Sequence, residues 1–293
     1  MLLRGLLQHA HRQTVTAGVA AIPEMTSGFL TSILHAQDAE IDATRIGSDY
    51  IHVSSLLEFC PRRHVVAVRD EINIYESTRS CDRVLWAIGK GIEAHVRKQL
   101  LARFQNIGCV GEWSCPCKRV KYEGMFNPNA ICVRCGHVAT HYDEFTLIDH
   151  EAKVAGHPDF IFMASGRLHV LEIKSMNKKD FDLLTKAVPN HIFQASSYRK
   201  MLAARGTVPV DPHVIILYVC KDYSFKGSPY HEFSIDATSP EVTNSLDLAW
   251  QNARIAKQAL EGSQLPTKHP SCLTPSSPMA RGCAACVNCF SRA

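Results

Sequence analysis

The chain contains no apolar run approaching the ~20 residues that a membrane-spanning helix requires, which argues against membrane integration. No internal repeat and no signal-peptide core or cleavage site stands out. Acidic residues are missing at both ends. None occurs among the first 23 residues, which carry Arg4 and Arg12, and none from Gly262 onward, where Lys268, Arg281 and Arg292 lie. Leu2, Leu3, Leu6 and Leu7 give the N-terminal stretch a small apolar face. That face fits a short amphipathic helix docking on the main body, although an organellar transit peptide would look similar. Net charge is only +4, which permits a polyanionic partner without demanding one. The 293 residues suffice to bury a sizeable core.

Cysteine is the residue in excess, with twelve copies. Cys115, Cys117, Cys132 and Cys135 cluster mid-chain, and Cys283, Cys286 and Cys289 cluster at the end, with Cys272 just upstream. Pairs two or three residues apart suit a metal better than disulfides. A secreted disulfide scaffold would also be smaller, so the expectation is an intracellular chain with reduced thiols. Cys115-Pro116-Cys117 with Cys132-Val133-Arg134-Cys135 reads as a four-cysteine zinc ribbon, its first pair one residue tighter than usual. Cys109, His137 and His141 are candidate substitutes, and Cys81 and Cys220 read as ordinary buried or spare thiols.

Apolar patterning predicts a mixed α/β core. Ser54 or Ser55 caps a short helix, with Glu58 in capping-box position, that ends near Cys60-Pro61-Arg62-Arg63. A long helix follows from about Asp82 to Phe104, with Leu85, Ile88, Ile92, Val96 and Leu100 at helical spacing. Gly89 and Gly91 inside it call for close packing or a functional reason. Phe160-Ile161-Phe162 and Val170 to Lys174 read as buried strands joined by a hairpin turn at Ala164-Ser165-Gly166-Arg167. A helix over about 190–204, a fully buried strand over Val214 to Val219 and a last helix over Pro240 to Glu261 complete the core. The expected division is an N-terminal helical or linker segment (1–49), a core (50–261) with the cysteine-bearing insert (109–142), and a cysteine-rich tail (262–293).

The chemistry-bearing residues lie on these elements. Gly156-His157-Pro158-Asp159 precedes the first hairpin strand, and Glu172-Ile173-Lys174 lies within the second. Alternate strand residues share a face, so Glu172 and Lys174 project together. A carboxylate beside a lysine on an apolar strand needs a partner or a metal. Asp159 and Glu172 supply hard oxygen ligands suited to Mg²⁺ or Mn²⁺. Gln194 and Tyr198 are four apart on one helix face, as are Gly91 and His95. Lys178 and Lys179 follow the strand, where they would meet phosphates or form a solvated loop.

This order of residues resembles the RecB-like branch of the PD-(D/E)xK nucleases, which includes nucleases associated with CRISPR adaptation. The resemblance runs over roughly Tyr50 to Arg205 plus the cysteine tail. It implies a restriction-endonuclease-like α/β core and a Mg²⁺- or Mn²⁺-dependent deoxyribonuclease. His95, Asp159, Glu172 and the Ile173 carbonyl would be metal ligands, Lys174 would orient the water or stabilise phosphorane charge, and Gln194 and Tyr198 would hold DNA or support the site. His95 would tilt preference toward Mn²⁺. One group within the branch ties an early cysteine to three late ones around a [4Fe–4S] cluster. Here Cys60 matches the early ligand, and the late three come from Cys272, Cys283, Cys286 and Cys289. Zinc at those cysteines is the alternative. The zinc-ribbon insert belongs to no required family pattern; it would rigidify the chain or grip nucleic acid through Lys118, Arg119 and Lys121.

The expected activity is an exonuclease on single-stranded DNA or DNA ends in recombination, repair or phage DNA processing. A helicase or recombination protein is a candidate partner, and the cytoplasm of a bacterial or phage-infected cell the expected compartment. Two readings compete: a DNA-binding scaffold subunit with a vestigial core, and a zinc-ribbon nucleic-acid adaptor.

Overall fold

A computed structural model describes residues 50–72, 80–119, 121–222, 224, 226–272 and 274–291. The proposed N-terminal docking helix, the rest of the segment before Tyr50 and the Cys81 thiol lie outside the described residues. In chain order the elements are β1 (Ile51–His52), a 3-10 turn (Val53–Ser55), α1 (Pro61–Arg69), α2 (Ser80–Gly108), β2 (Cys109–Ser114), β3 (Lys121–Met125), β4 (His141–Asp143), β5 (Leu147–Asp149), β6 (Val154–Gly156), β7 (Phe160–Ala164), β8 (Arg167–Met176), α3 (Lys178–Asp182), α4 (Pro189–Ala204), β9 (Val210–Cys220), β10 (Tyr230–Asp236), α5 (Pro240–Glu261), α6 (Pro278–Arg281) and α7 (Cys286–Ser291). No helix among the described residues is long and apolar enough to cross a membrane.

The main sheet runs β10-β9-β8-β7-β2-β3, with β4 also paired to β2. Strand β8 is antiparallel to β7 and parallel to β9, so the sheet is mixed. The β7–β8 hairpin closes through Ser165 and Gly166, whose φ values of 50° and 73° are those of a type I′ turn. Helices cover both faces. Leu168 and Val170 of β8 join the core built with Phe193, Tyr198 and Leu202 of α4 and Leu246 and Trp250 of α5. Leu171 and Ile173 point oppositely into a second core that includes Val96 of α2, Trp113 and Phe160. A small sheet, β1-β6-β5, is tied to α5 where Trp250 Nε1 donates to Asp149 Oδ2 at 2.8 Å.

Two expectations differ. The helix expected to end near Cys60 instead begins there: Pro61 occupies its first turn, where the missing N–H costs nothing, and Cys60 is its N-cap. The residues before it form only a 3-10 turn. The cysteine-bearing insert is continuous with the core. Its opening strand β2 pairs with β7, and Trp113 is fully buried with its indole N–H donating to the Gly124 carbonyl at 3.0 Å. The long helix also reaches past both expected ends, and its early apolar residues Leu85 and Ile88 are exposed while Val96 is buried.

Gly156 explains itself by crowding. A Cβ there would lie 2.6 Å from the Tyr198 ring and 2.9 Å from a Val53 methyl. Gly156→Ala is expected to destabilise the protein by about 1–3 kcal/mol through overpacking, read as a lower urea midpoint at unchanged m-value.

Candidate active site

Two carboxylates and an ammonium meet where β7 begins beside the middle of β8. Asp159 sits just before β7, buried, and its Oδ2 accepts a hydrogen bond from the Ile173 backbone N–H at 2.7 Å. That contact ties Asp159 to the strand carrying Glu172 and Lys174. Glu172 is 0% exposed, with Oε1 2.6 Å from Lys174 Nζ. Its Oε2 is buried and has no hydrogen-bond partner among the described residues. Such an orphaned carboxylate oxygen is costly unless a proton or a cation satisfies it.

Helix α2 adds a third carboxylate. Glu93 is buried, and its carboxylate, that of Glu144 and that of Asp159 lie within 4.8 Å of one another. The helical position expected to serve was His95, which is exposed and is not one of these three. Two residues along a helix turn it by about 200°, so Glu93 and His95 occupy opposite faces and only one can meet the sheet. Glu144 follows β4, a strand the sequence pattern did not reveal. Both added carboxylates are bridged within the chain: Arg97 reaches Glu93 at 2.5 Å and Glu144 at 2.7 Å, and Lys90 reaches Glu93 at 2.9 Å.

The electrostatics follow from this crowding. Burial, then Glu172 and Glu93, push the Asp159 carboxyl well above its usual range. Burial likewise raises Glu172, with Glu93 and Glu144 adding to it and Lys174 opposing. Burial works against the Lys174 ammonium, but Glu172 and Asp159 outweigh it and hold its pKa above the ordinary value. Lys174 is therefore charged at neutral pH.

Helix α4 closes the other side. Gln194 Nε2 donates to the Tyr198 hydroxyl at 3.0 Å, so the half-buried amide and the buried phenol act as one unit. Burial and Glu172 raise the Tyr198 phenol. One turn earlier, His191 Nδ1 lies 2.9 Å from the Tyr218 hydroxyl, which accepts from Val188 N–H at 2.9 Å. Burial and the Lys174 charge push His191 down to about 4, leaving a neutral ring. Neither His191 nor Tyr218 carried a signal in the sequence; the pairing of Lys174 with Tyr218 in the β8–β9 register brings them to the site.

Two cysteine groups lie outside the carboxylate cluster. The Cys115, Cys117, Cys132 and Cys135 sulfurs lie within 4.8 Å of one another, with Cys115 to Cys117 at 3.4 Å and Cys117 to Cys132 at 3.6 Å. The backbone N–H of His137 points at Cys135 and holds its thiol low. Cys109 is buried in β2, and neither it nor the exposed His137 and His141 joins the four. At the chain end, burial and then Cys60, Cys283, Cys289 and Cys286 raise the Cys272 thiol. A cavity of about 730 Å³ opens among Cys60, Cys272 and Cys283. Buried Arg62 fastens the tail there, donating to Cys289 Sγ at 3.3 Å, the Cys289 carbonyl at 3.0 Å and the Pro266 carbonyl at 2.9 Å. None of the eleven described cysteines is in a disulfide.

No protein-family profile and no curated protein matches the chain. Among solved structures, LHK-Exo in complex with dAMP is similar over 76% of this chain and 92% of that one, with 13% identity and a TM-score of 0.40. That likeness is too distant to assign a function.

A carboxyl whose pKa is raised on folding destabilises the folded state at every pH above its unfolded value. The penalty shrinks as pH falls through the folded pKa. Asp159→Asn keeps an oxygen for the Ile173 N–H and removes the charge. It is expected to raise metal-free stability at pH 7.5 by about 1–2 kcal/mol, and to abolish any rise in melting temperature on adding Mn²⁺.

Proposed function

We propose that the chain is a divalent-metal-dependent nuclease acting on DNA. The observation that carries this reading is the forced sharing of one buried place by Asp159 and Glu172, with Glu93 and Glu144 adjoining and the Lys174 ammonium alongside. A structural ion pair needs one carboxylate per cation, and this site holds carboxylates in excess.

The residues present fit a hard divalent cation. Oxygen donors converge, and the orphaned Oε2 of Glu172 provides a lone pair with no other claimant among the described residues. Asp159, Glu172 and Glu93 would hold the ion, with Glu93 in the role expected of His95. When bound, the cation neutralises phosphate charge and acidifies a water. The protein supplies the rest. The Ile173 N–H fixes Asp159, and Glu172 holds the Lys174 ammonium within reach of the scissile phosphate, where it stabilises developing negative charge. Gln194 and Tyr198 back the site and limit water entry. Attack on DNA ends or single strands, with a helicase or recombination partner, rests on the family resemblance.

The other two groups take metals of different size. A tetrahedral ion with Zn–S bonds of about 2.3 Å sets its sulfurs about 3.8 Å apart, close to the spacing of the mid-chain thiols, which we assign to Zn²⁺. Cys60, Cys272 and Cys283 of the terminal thiols border one cavity, and on the family resemblance we assign Cys60 and three of the four late cysteines to a polyatomic [4Fe–4S] cluster.

Arg97 favours a second reading, a DNA-binding scaffold, because it satisfies Glu93 and Glu144 without any metal. End-labelled single- and double-stranded DNA incubated with Mg²⁺ or Mn²⁺ separates the two. Wild type is expected to degrade DNA, with Asp159→Asn, Lys174→Ala and Glu93→Gln each reduced at least ~100-fold and His95→Ala within about threefold of wild type. Absence of cleavage by wild type would favour the scaffold.

A further inference from the structure

The four-thiol knuckle lies at the same end of the sheet as the carboxylates. In the β2–β7 pair, Cys109 is opposite Phe162 and Val110 opposite Ile161. Each step forward along β2 is one step back along β7, so extending that register sets Glu112 level with Asp159. Cys115 is three residues farther, roughly 10 Å along the strand direction at about 3.3 Å per residue. The knuckle therefore emerges from the end of the sheet that carries the carboxylates. Its return path confirms the placement, since β4 pairs with Glu112 to Ser114 and leads directly to Glu144.

The knuckle is built to present its side chains to an external partner. Two tight turns hold it, with Lys118 N–H donating to the Cys115 carbonyl at 2.8 Å and Gly136 N–H to the Cys132 carbonyl at 2.8 Å. Lys118 is in the left-handed region at φ 54°, a conformation this turn imposes and a bound ion would stabilise. Lys118, Arg119 and Arg134 are exposed, and among the described residues none of them has a carboxylate in ion-pair range. Lys121, by contrast, is paired with Glu112 at 2.8 Å. Within residues 116–137 the only acidic residue is Glu123, against Lys118, Arg119, Lys121 and Arg134. Val133 is fully exposed between the cysteines of the second pair. Exposed cations without partners flanking one apolar residue complement a phosphate backbone.

Building on the nuclease reading, we infer that the Cys115–Cys135 knuckle is a DNA-backbone grip: Lys118, Arg119 and Arg134 bind phosphates of the strand leading into the carboxylate site. It is sequence-independent, because cations on a backbone carry no base information.

The test is DNA binding by the full chain in Ca²⁺ buffer without chelator, followed by fluorescence anisotropy across a salt series. Wild type is compared with the triple variant Lys118→Gln, Arg119→Gln, Arg134→Gln, whose metal content and melting temperature are checked in parallel. The grip predicts a tenfold or greater loss of affinity and a salt slope shallower by about 2–3, at about 0.9 per duplex phosphate contact released, with metal content unchanged. Single variants keep the test open should the triple variant lose metal or unfold; each is expected to lower the slope by about 1. Unchanged affinity and slope, or no DNA binding by wild type, would overturn the grip. Knuckle-dependent binding without cleavage would sink the nuclease reading alone, and cleavage with knuckle-independent binding would sink the grip alone.

Discussion

Glu172 is a fully buried carboxylate on the central strand of a mixed sheet, and much of the molecule can be understood as the means of tolerating it. An isolated charge there would protonate or unfold the strand. Lys174, two residues on and facing the same way, meets one oxygen, while the other has no hydrogen-bond partner among the described residues. The neighbouring backbone N–H of Ile173 is turned to Asp159, which brings a second carboxylate into the same place. Like charges forced together in a low dielectric repel, and a cation between them would relieve that repulsion.

The surrounding architecture holds that unfavourable arrangement in place. Core packing on both faces of β8 leaves the strand no freedom to rotate its side chains outward. Helix α2 supplies Glu93 from one face and α4 supplies Gln194, Tyr198 and His191 from the other. Arg97 and Lys90 balance part of the excess negative charge from within the chain, which lets the site fold without a metal. The tail is held by directional contacts, with Arg62 making three hydrogen bonds to it and Asn288 donating to Asp70 at 2.7 Å.

The strand pair, its turn and the helices over 190–204 and 240–261 were legible from periodicity and turn chemistry, because each obeys a local rule. So was the juxtaposition of Asp159 with Glu172 and Lys174, which needs only a hairpin and the two-residue strand period. What escaped was set by packing direction. Glu93 and His95 are equally plausible on a helix until its buried face is known, and a spacing argument cannot supply that face. Glu144 and His191 reach the site through pairings distant in sequence, β4 with β2 and Lys174 with Tyr218. The start of α1 was misread because Pro61 ends a helix as readily as it begins one, and only the N-cap geometry at Cys60 decides.

We propose that the buried carboxylates hold a divalent cation. Anomalous diffraction from crystals soaked in Mn²⁺ tests it most directly. A Mn²⁺ peak is expected at bonding distance from both Asp159 and Glu172, with Arg97 withdrawn from Glu93. An ion-free site in saturating Mn²⁺, with Arg97 still bridging Glu93 and Glu144, would contradict it.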